Sequence, residues 1–197
     1  MSQKRRSRPT TPAATEPIAV RRRWLAWVAV IAPLAVLVAL TTANSLSGPP
    51  DGDAVDTVPD FVLATTTGET LDRTGALAGN ETLFYFSMGI GCDGCFAQIP
   101  EIAPGLDQRG IRLVPVMVDP QLIVASEATR WGIDMPIVID DDLELSRAMG
   151  MLGVYGHSNS PSHSFALADG DGNVRWVRHY AEMFVPAELF FAELDAA

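Results

Sequence analysis

Short apolar runs alternate with segments of helical periodicity along the chain after residue 58. Runs rich in Val, Ile, Leu and Phe that are bounded by polar turns predict buried strands, and longer amphipathic segments predict helices. The last two strands are joined by alternating Asp and Gly, which is typical of a hairpin. This order predicts an α/β fold with a mixed central sheet flanked by helices. The predicted strands are 61–64, 82–87, 111–118, 137–139, 164–168 and 174–178, and the predicted helices are 92–108, 119–131, 143–149 and 186–194.

Two prolines interrupt this pattern. Pro115 lies inside the third predicted strand, and it predicts a bulge or a strand edge because proline cannot donate to a sheet ladder. Pro100 lies inside the first long helix and predicts a kink there, because it removes a backbone donor.

The N-terminal segment has a different pattern, in which a basic polar tail precedes an uncharged apolar stretch. About 20 apolar residues are enough to span a bilayer, and the Lys and Arg before the stretch favour a cytoplasmic N-terminus. The residues at 41–43 also suit a cleavage site, so a cleaved signal peptide is the alternative. The predicted organisation is a cytoplasmic basic tail over 1–23, a single transmembrane anchor over 24–43, a flexible linker over 44–57 and a folded extracytoplasmic domain over 58–197.

The charge distribution limits the classes of partner. The formal net charge is −10, and because the N-terminal tail is basic, the folded domain is more acidic still. An acidic domain argues against nucleic acid as a partner, since phosphates require Lys and Arg.

The chain contains two cysteines, Cys92 and Cys95, where a predicted strand ends and a helix begins. Two thiols at this spacing lie on one helix face, and the helix N-terminus favours the thiolate of the first. A C-x-x-C pair in this context is a candidate for thiol–disulfide exchange. It is a poor structural staple because the closed ring is so short. A soft-metal half-site is a further alternative, and the side chains that would complete it are Met88, His157 and His163.

Several segments have sequences similar to motifs of one superfamily. From about residue 58 to 195 the chain resembles the thioredoxin-like superfamily. Within it, the similarity is to the TlpA/ResA-type membrane-anchored thiol–disulfide oxidoreductases and to the related redoxin, or peroxiredoxin-like, group. The matching segments are 59–61, 67–71, 92–95 with Pro100, 136–140, 153–155 and 165–172.

The resemblance implies roles for individual residues. Cys92 is expected to be the exposed attacking cysteine and Cys95 the deeper, resolving one. Pro161 is expected to be a cis-proline that faces the pair, although the spacing to the following hairpin also admits His163 at that place, where a cis bond would be costly. Ser160 is a further accessory candidate.

The chain also departs from the family pattern at three positions. Gly91 stands where the family usually has Trp, and Gln98 stands where some anchored reductases have a buried acid, so proton handling by a carboxylate at that position is absent. Asp93, between the cysteines, places negative charge beside Cys92 and opposes its thiolate. We therefore expect a reductase-like redox couple.

These features predict a membrane-tethered thiol–disulfide oxidoreductase outside the cytoplasm, without a cofactor or a metal. The expected partners are exported proteins that carry disulfides or thiols, and an upstream membrane electron donor. A redoxin-type thiol peroxidase is the first alternative, which Ser87 supports weakly and the lack of a proline before Cys92 disfavours. A Cys/His copper-binding module is the second.

Overall fold

The computed structural model describes residues 55–157 and 159–196. The strands and helices alternate in the predicted order. The strands are β1 (Val62–Ala64), β2 (Thr70–Asp72), β3 (Thr82–Phe86), β4 (Arg112–Met117), β5 (Val138–Ile139), β6 (His163–Ala168) and β7 (Val174–Tyr180). The helices are α1 (Arg73–Leu77), α2 (Asp93–Gln108), α3 (Gln121–Arg130), α4 (Glu144–Ala148) and α5 (Ala187–Leu194), with a 3₁₀ turn at Val154–Gly156.

A five-stranded mixed sheet in the order β5-β4-β3-β6-β7 forms the centre of the fold. Strand β3 pairs parallel with β4 and antiparallel with β6, and the β6–β7 pair is the predicted hairpin. A parallel pair requires a crossover connection, which α2 supplies between β3 and β4. The predicted α/β class with a mixed sheet is therefore confirmed.

The central strand β3 is buried along its whole length, because each face of the sheet is covered by helices. Leu83 and Tyr85 point to the side where α2, α3 and α5 pack, whereas Phe84 and Phe86 point to the side of α1 and α4. A strand buried on both faces has a continuous apolar sequence rather than an alternating one, which explains why the run at 82–87 predicts this strand so well.

Both prolines lie inside regular elements, and for Pro115 the strand-edge alternative is the one that agrees with the structure. Pro115 pairs with Tyr85 of β3 in an unbroken register, so there is no bulge. Pairing of β4 with β5 begins only at Val116, which places Pro115 where the β5 side is still unpaired. Helix α2 continues through Pro100 as one element from Asp93 to Gln108.

The sequence pattern does not predict the small β1–β2 sheet in full, nor α1. Strand β1 is predicted over 61–64, whereas β2 has three residues and α1 has five, too few to show a periodicity. No helix within the described ranges is long and apolar enough to cross a membrane, and the predicted span over 24–43 lies outside those ranges.

Candidate active site

The two cysteines lie where the central strand β3 leads into α2. Cys92 is the N-cap residue of the helix and Cys95 lies in its first turn. They form a disulfide with a Cα–Cα distance of 5.3 Å. The backbone N–H of Cys95 donates to Sγ of Cys92 at 3.2 Å. The sulfur therefore takes the place of a capping oxygen, at the end of the helix where partial positive charge favours an anion.

Cys95 is buried as the sequence predicts, but Cys92 is more buried than the sequence predicts. Cys92 is 5% exposed and Cys95 is 0% exposed, so Cys92 is the residue closer to solvent, as expected. The expectation that Cys92 is an exposed residue is nevertheless wrong. The reason is local, because Cys92 is bonded to Cys95 and its Sγ accepts the Cys95 N–H at the start of α2.

Asp93 is exposed and forms an ion pair across the surface. Its Oδ1 lies 2.8 Å from Nη2 of Arg130, at the end of α3, and Arg130 also pairs with Glu127. These two carboxylates raise the pKa of Arg130. The negative charge that the sequence places beside Cys92 is therefore offset by a cation that the sequence pattern does not indicate.

Two glycines shape the turn that carries the cysteines. Gly91 has φ = +87°, a left-handed conformation that is strained for residues with a Cβ. This conformation explains why a glycine stands where the family usually has Trp. At Gly94 a Cβ would lie 2.6 Å from the carbonyl oxygen of Met183, so the segment after β7 packs directly on the dipeptide between the cysteines.

The cis bond expected at Pro161 is absent, because every peptide bond among the described residues is trans. Pro161 forms an isolated antiparallel bridge with Leu152 just before β6, and Ser160 beside it is half-buried. The trans form is the lower-energy isomer of an X–Pro bond, and this bridge keeps the segment extended without a turn that would require the cis form.

On its buried side, the cysteine turn forms a hydrogen bond with the side chain of Tyr85. Its hydroxyl lies 3.1 Å from the carbonyl oxygen of Cys95 and 2.9 Å from Nδ1 of His163. Nε2 of His163 lies 3.1 Å from Oε1 of Gln98. These three residues, Tyr85, Gln98 and His163, are fully buried, and we call them the buried triad.

Burial determines the protonation of the triad. It lowers the pKa of His163 from 6.5 to about 4 and raises the pKa of Tyr85 well above its usual value. Both groups are therefore neutral near pH 7. Of the triad, the sequence singles out His163 as a site candidate and Gln98 as a departure from the family. Tyr85 is missed because it lies in an apolar run, where its hydroxyl is the only signal of a polar role.

The geometry does not favour a metal at this site. Both ring nitrogens of His163 already have partners in Tyr85 and Gln98. In the part of the chain that the structure describes, no group of three or more His, Cys, Asp or Glu side chains could hold a metal ion.

A surface cavity of about 400 Å³ lies away from the disulfide, around the beginning of β4. None of the predicted site residues lines it. Its lining residues are Thr65, Glu69, Thr70, Leu71, Ala103, Asp107, Ile111, Arg112, Leu113, Val114, Met135 and Pro136.

The part of the chain that carries the cysteine pair is similar to known proteins. A family model described as Redoxin matches residues 53–183. The chain is also 30% identical over 123 residues to the thiol-disulfide oxidoreductase ResA of Geobacillus thermodenitrificans (strain NG80-2). That match covers 60% of this chain and 65% of ResA, so the chain spans just under two thirds of the relative's length.

Three solved structures have the same fold at low sequence identity. Peroxidoxin BcpB from Mycobacterium tuberculosis aligns with a TM-score of 0.61 at 22% identity, covering 73% of this chain and 96% of that one. Enterococcus faecalis AhpC aligns with a TM-score of 0.62 at 17% identity, covering 73% and 90%. The thiol peroxidase from Chromobacterium violaceum aligns with a TM-score of 0.59 at 18% identity, covering 76% and 88%. The thioredoxin-like fold predicted from the sequence is thus confirmed.

Proposed function

The chain belongs to the Redoxin family, and from this premise we propose that it catalyses thiol–disulfide exchange through Cys92 and Cys95. The observation that carries the proposal is the disulfide at the N-terminus of α2, in which Sγ of Cys92 is the helix cap. A thiolate at that position is stabilised by the helix and by the N–H of Cys95. The similarity to ResA supports the same type of activity.

The proposed reaction uses the two thiols in sequence. In the reduced protein, the Cys92 thiolate attacks one sulfur of a client disulfide, and the other client sulfur leaves as a thiolate that takes up a proton. The Cys95 thiol then loses its proton and attacks Sγ of Cys92, which releases the second client sulfur as a thiol. Two electrons and two protons pass to the client, and Cys92 and Cys95 end as the observed disulfide. A dithiol donor must then reduce this disulfide.

We propose the reductive direction for this exchange because of the charge next to Cys92. Asp93 disfavours the Cys92 thiolate, and a couple with a less stabilised thiolate is more reducing. Arg130 offsets part of that charge, so the size of the effect depends on this ion pair.

The location and partners form part of the same proposal. The uncharged segment 24–43 following a basic tail supports a membrane anchor with the domain outside the cytoplasm. In that arrangement the clients are exported proteins with disulfides, and the dithiol donor is a membrane protein. An oxidising compartment supplies disulfides for a reductase to act on.

A thiol peroxidase is the second candidate, and the low exposure of Cys92 favours it. A sulfur that is so little exposed is more accessible to a small hydroperoxide than to a protein disulfide. In that reaction the Cys92 thiolate attacks the terminal oxygen of the hydroperoxide and the O–O bond breaks, and the alkoxide that leaves takes up a proton from solvent, which gives a sulfenic acid and an alcohol. Cys95 then condenses with the sulfenic acid to form the disulfide and water.

Trapping of the mixed disulfide tests the main proposal. In the full-length protein, Cys95→Ser should accumulate mixed disulfides with clients, because the second attack is removed, whereas the Cys92→Ser/Cys95→Ser double variant should not. Equal trapping by Cys92→Ser would reverse the two roles. Reduction of insulin with dithiothreitol as donor, compared with consumption of hydrogen peroxide by the reduced protein, separates the two candidate activities.

A further inference from the structure

The amide of Gln98 joins the start of α2 to the segment that follows β7. Its Nε2 donates to the carbonyl of Val185 at 3.1 Å, and its Oε1 accepts from the N–H of Val185 at 2.7 Å. This fork allows a single orientation of the amide, because the flipped amide would oppose donor to donor and acceptor to acceptor. The side-chain oxygen of Gln98 must therefore face both the backbone N–H of Val185 and Nε2 of His163.

The fixed amide determines where His163 carries its proton. Oε1 of Gln98 is an acceptor, so the Nε2 that lies 3.1 Å from it must be the protonated nitrogen. The ring is neutral near pH 7 because burial lowers its pKa to about 4. Nδ1 is consequently bare, and it accepts a hydrogen bond from the Tyr85 hydroxyl at 2.9 Å.

The Tyr85 hydroxyl has one hydrogen and two acceptors within reach. These are Nδ1 of His163 and the carbonyl oxygen of Cys95. When the hydrogen is donated to His163, the hydroxyl presents its oxygen, the negative end of its dipole, towards Cys95. The Cys95 carbonyl does not depend on Tyr85, because it lies in the first turn of α2, where the helix supplies donors.

We propose that Gln98 is a positioning residue that fixes His163 as its Nε2–H tautomer and thereby turns the Tyr85 hydroxyl hydrogen away from Cys95. The effect on the reaction rests on the function proposed above. Without the amide, the Nδ1–H tautomer of His163 forms more hydrogen bonds than the Nε2–H tautomer. In it, Nδ1–H donates to the Tyr85 oxygen, and the Tyr85 hydroxyl donates to the Cys95 carbonyl. The positive end of the O–H dipole then faces the turn that carries Cys95.

This arrangement gives the second step of the exchange a specific dependence on Gln98. The hydroxyl contacts the backbone carbonyl of Cys95 rather than its sulfur, so it acts on the thiol through the local potential: an oxygen facing this turn disfavours the Cys95 thiolate, and a hydrogen facing it favours the thiolate. Loss of the Gln98 amide should therefore accelerate the attack of Cys95 on the mixed disulfide, by about threefold at a pH where the thiol is mostly protonated. The first attack, by Cys92, should change by less than that.

Nitrogen NMR of the full-length oxidised protein tests the tautomer directly. The chain has three histidines, so His157→Gln and His179→Gln variants assign the signals of His163. The wild type should show the proton on Nε2, and Gln98→Leu should show it on Nδ1. The matched control is Gln121→Leu, since Gln121 also donates to a backbone carbonyl, that of Thr65, and should leave His163 unchanged. Gln98→Met carries the same test if the leucine variant does not fold.

The kinetic test follows the release of a client thiol from a preformed mixed disulfide at Cys92. A wild-type His163 protonated on Nδ1, or an unchanged tautomer in Gln98→Leu, overturns the proposal about Gln98. A changed tautomer with an unchanged release rate overturns its role in the reaction. Absence of exchange in the wild type overturns the proposed function itself, and the tautomer result distinguishes that failure from the others.

Discussion

The two sides of the cysteine turn place polar groups in opposite environments. On the inner side, the buried triad links three elements of the fold through neutral groups without access to water. On the outer side, Asp93 and Arg130 form an ion pair in which both side chains are more than half exposed. Interactions of the first kind are costly to disturb, whereas those of the second kind are screened by solvent. The inner side should therefore control the stability of the fold and the positions of the His163 and Tyr85 protons. The outer side should only adjust the reactivity of Cys92.

The largest expected effect is acid destabilisation through His163. Its pKa is about 4 in the folded protein against an ordinary value of 6.5, so between these values the unfolded chain binds a proton that the folded protein does not. Stability is therefore complete above pH 6.5 and is lost as the pH falls towards 4, by about 3 kcal/mol in all. The two tyrosines on neighbouring strands, Tyr85 and Tyr180, have raised pKa values and stay neutral throughout this window, whereas His179 on β7 also titrates with a lowered pKa.

Urea unfolding of the oxidised full-length protein at pH 7 and pH 4.5 measures this effect. His163→Gln removes the titrating ring and should have a smaller loss of stability between the two pH values than the wild type. The control His157→Gln should keep the full loss. The pKa of His179 is also lowered by burial, so some acid sensitivity should remain in His163→Gln. Equal losses in the wild type and in His163→Gln would contradict the prediction.

The second effect concerns the close contact at Gly94. A methyl group there would meet the backbone of Met183, so Gly94→Ala should destabilise the protein by about 1–3 kcal/mol. Alanine would otherwise stabilise a helical position relative to glycine. The neighbouring variant Asp93→Ala, on the outer side of the same turn, should have a much smaller effect. Thermal unfolding of the two oxidised variants makes the comparison, and a neutral or stabilising Gly94→Ala would show that the segment after β7 moves away freely.

The sequence predicts the sheet and the redox motif because both are encoded locally. The apolar run of β3 is continuous, and the two cysteines are three residues apart. The buried triad could not be predicted in the same way, because Tyr85, Gln98 and His163 come from β3, α2 and β6 and meet only when the sheet forms. The prediction of a cis bond at Pro161 is based on the spacing of residues in a family pattern. It fails because Pro161 pairs with Leu152, a tertiary contact that residue spacing cannot reveal.

The smallest expected effect belongs to the outer side of the turn. Arg130→Gln leaves Asp93 without its cation, so the negative charge near Cys92 is no longer offset and the thiolate is disfavoured. Alkylation of Cys92 by iodoacetamide in the reduced protein should slow by about two- to threefold at pH 7 and low salt, in keeping with the weak coupling of exposed charges. The difference should disappear at about 1 M salt, where the Debye length is about 3 Å. Arg109→Gln, which removes an equivalent ion pair with Asp195 on another surface, should leave the rate unchanged. A salt-independent loss, or one of more than tenfold, would mean that the outer side also acts through the packing of the turn, and the distinction between its two sides would no longer hold.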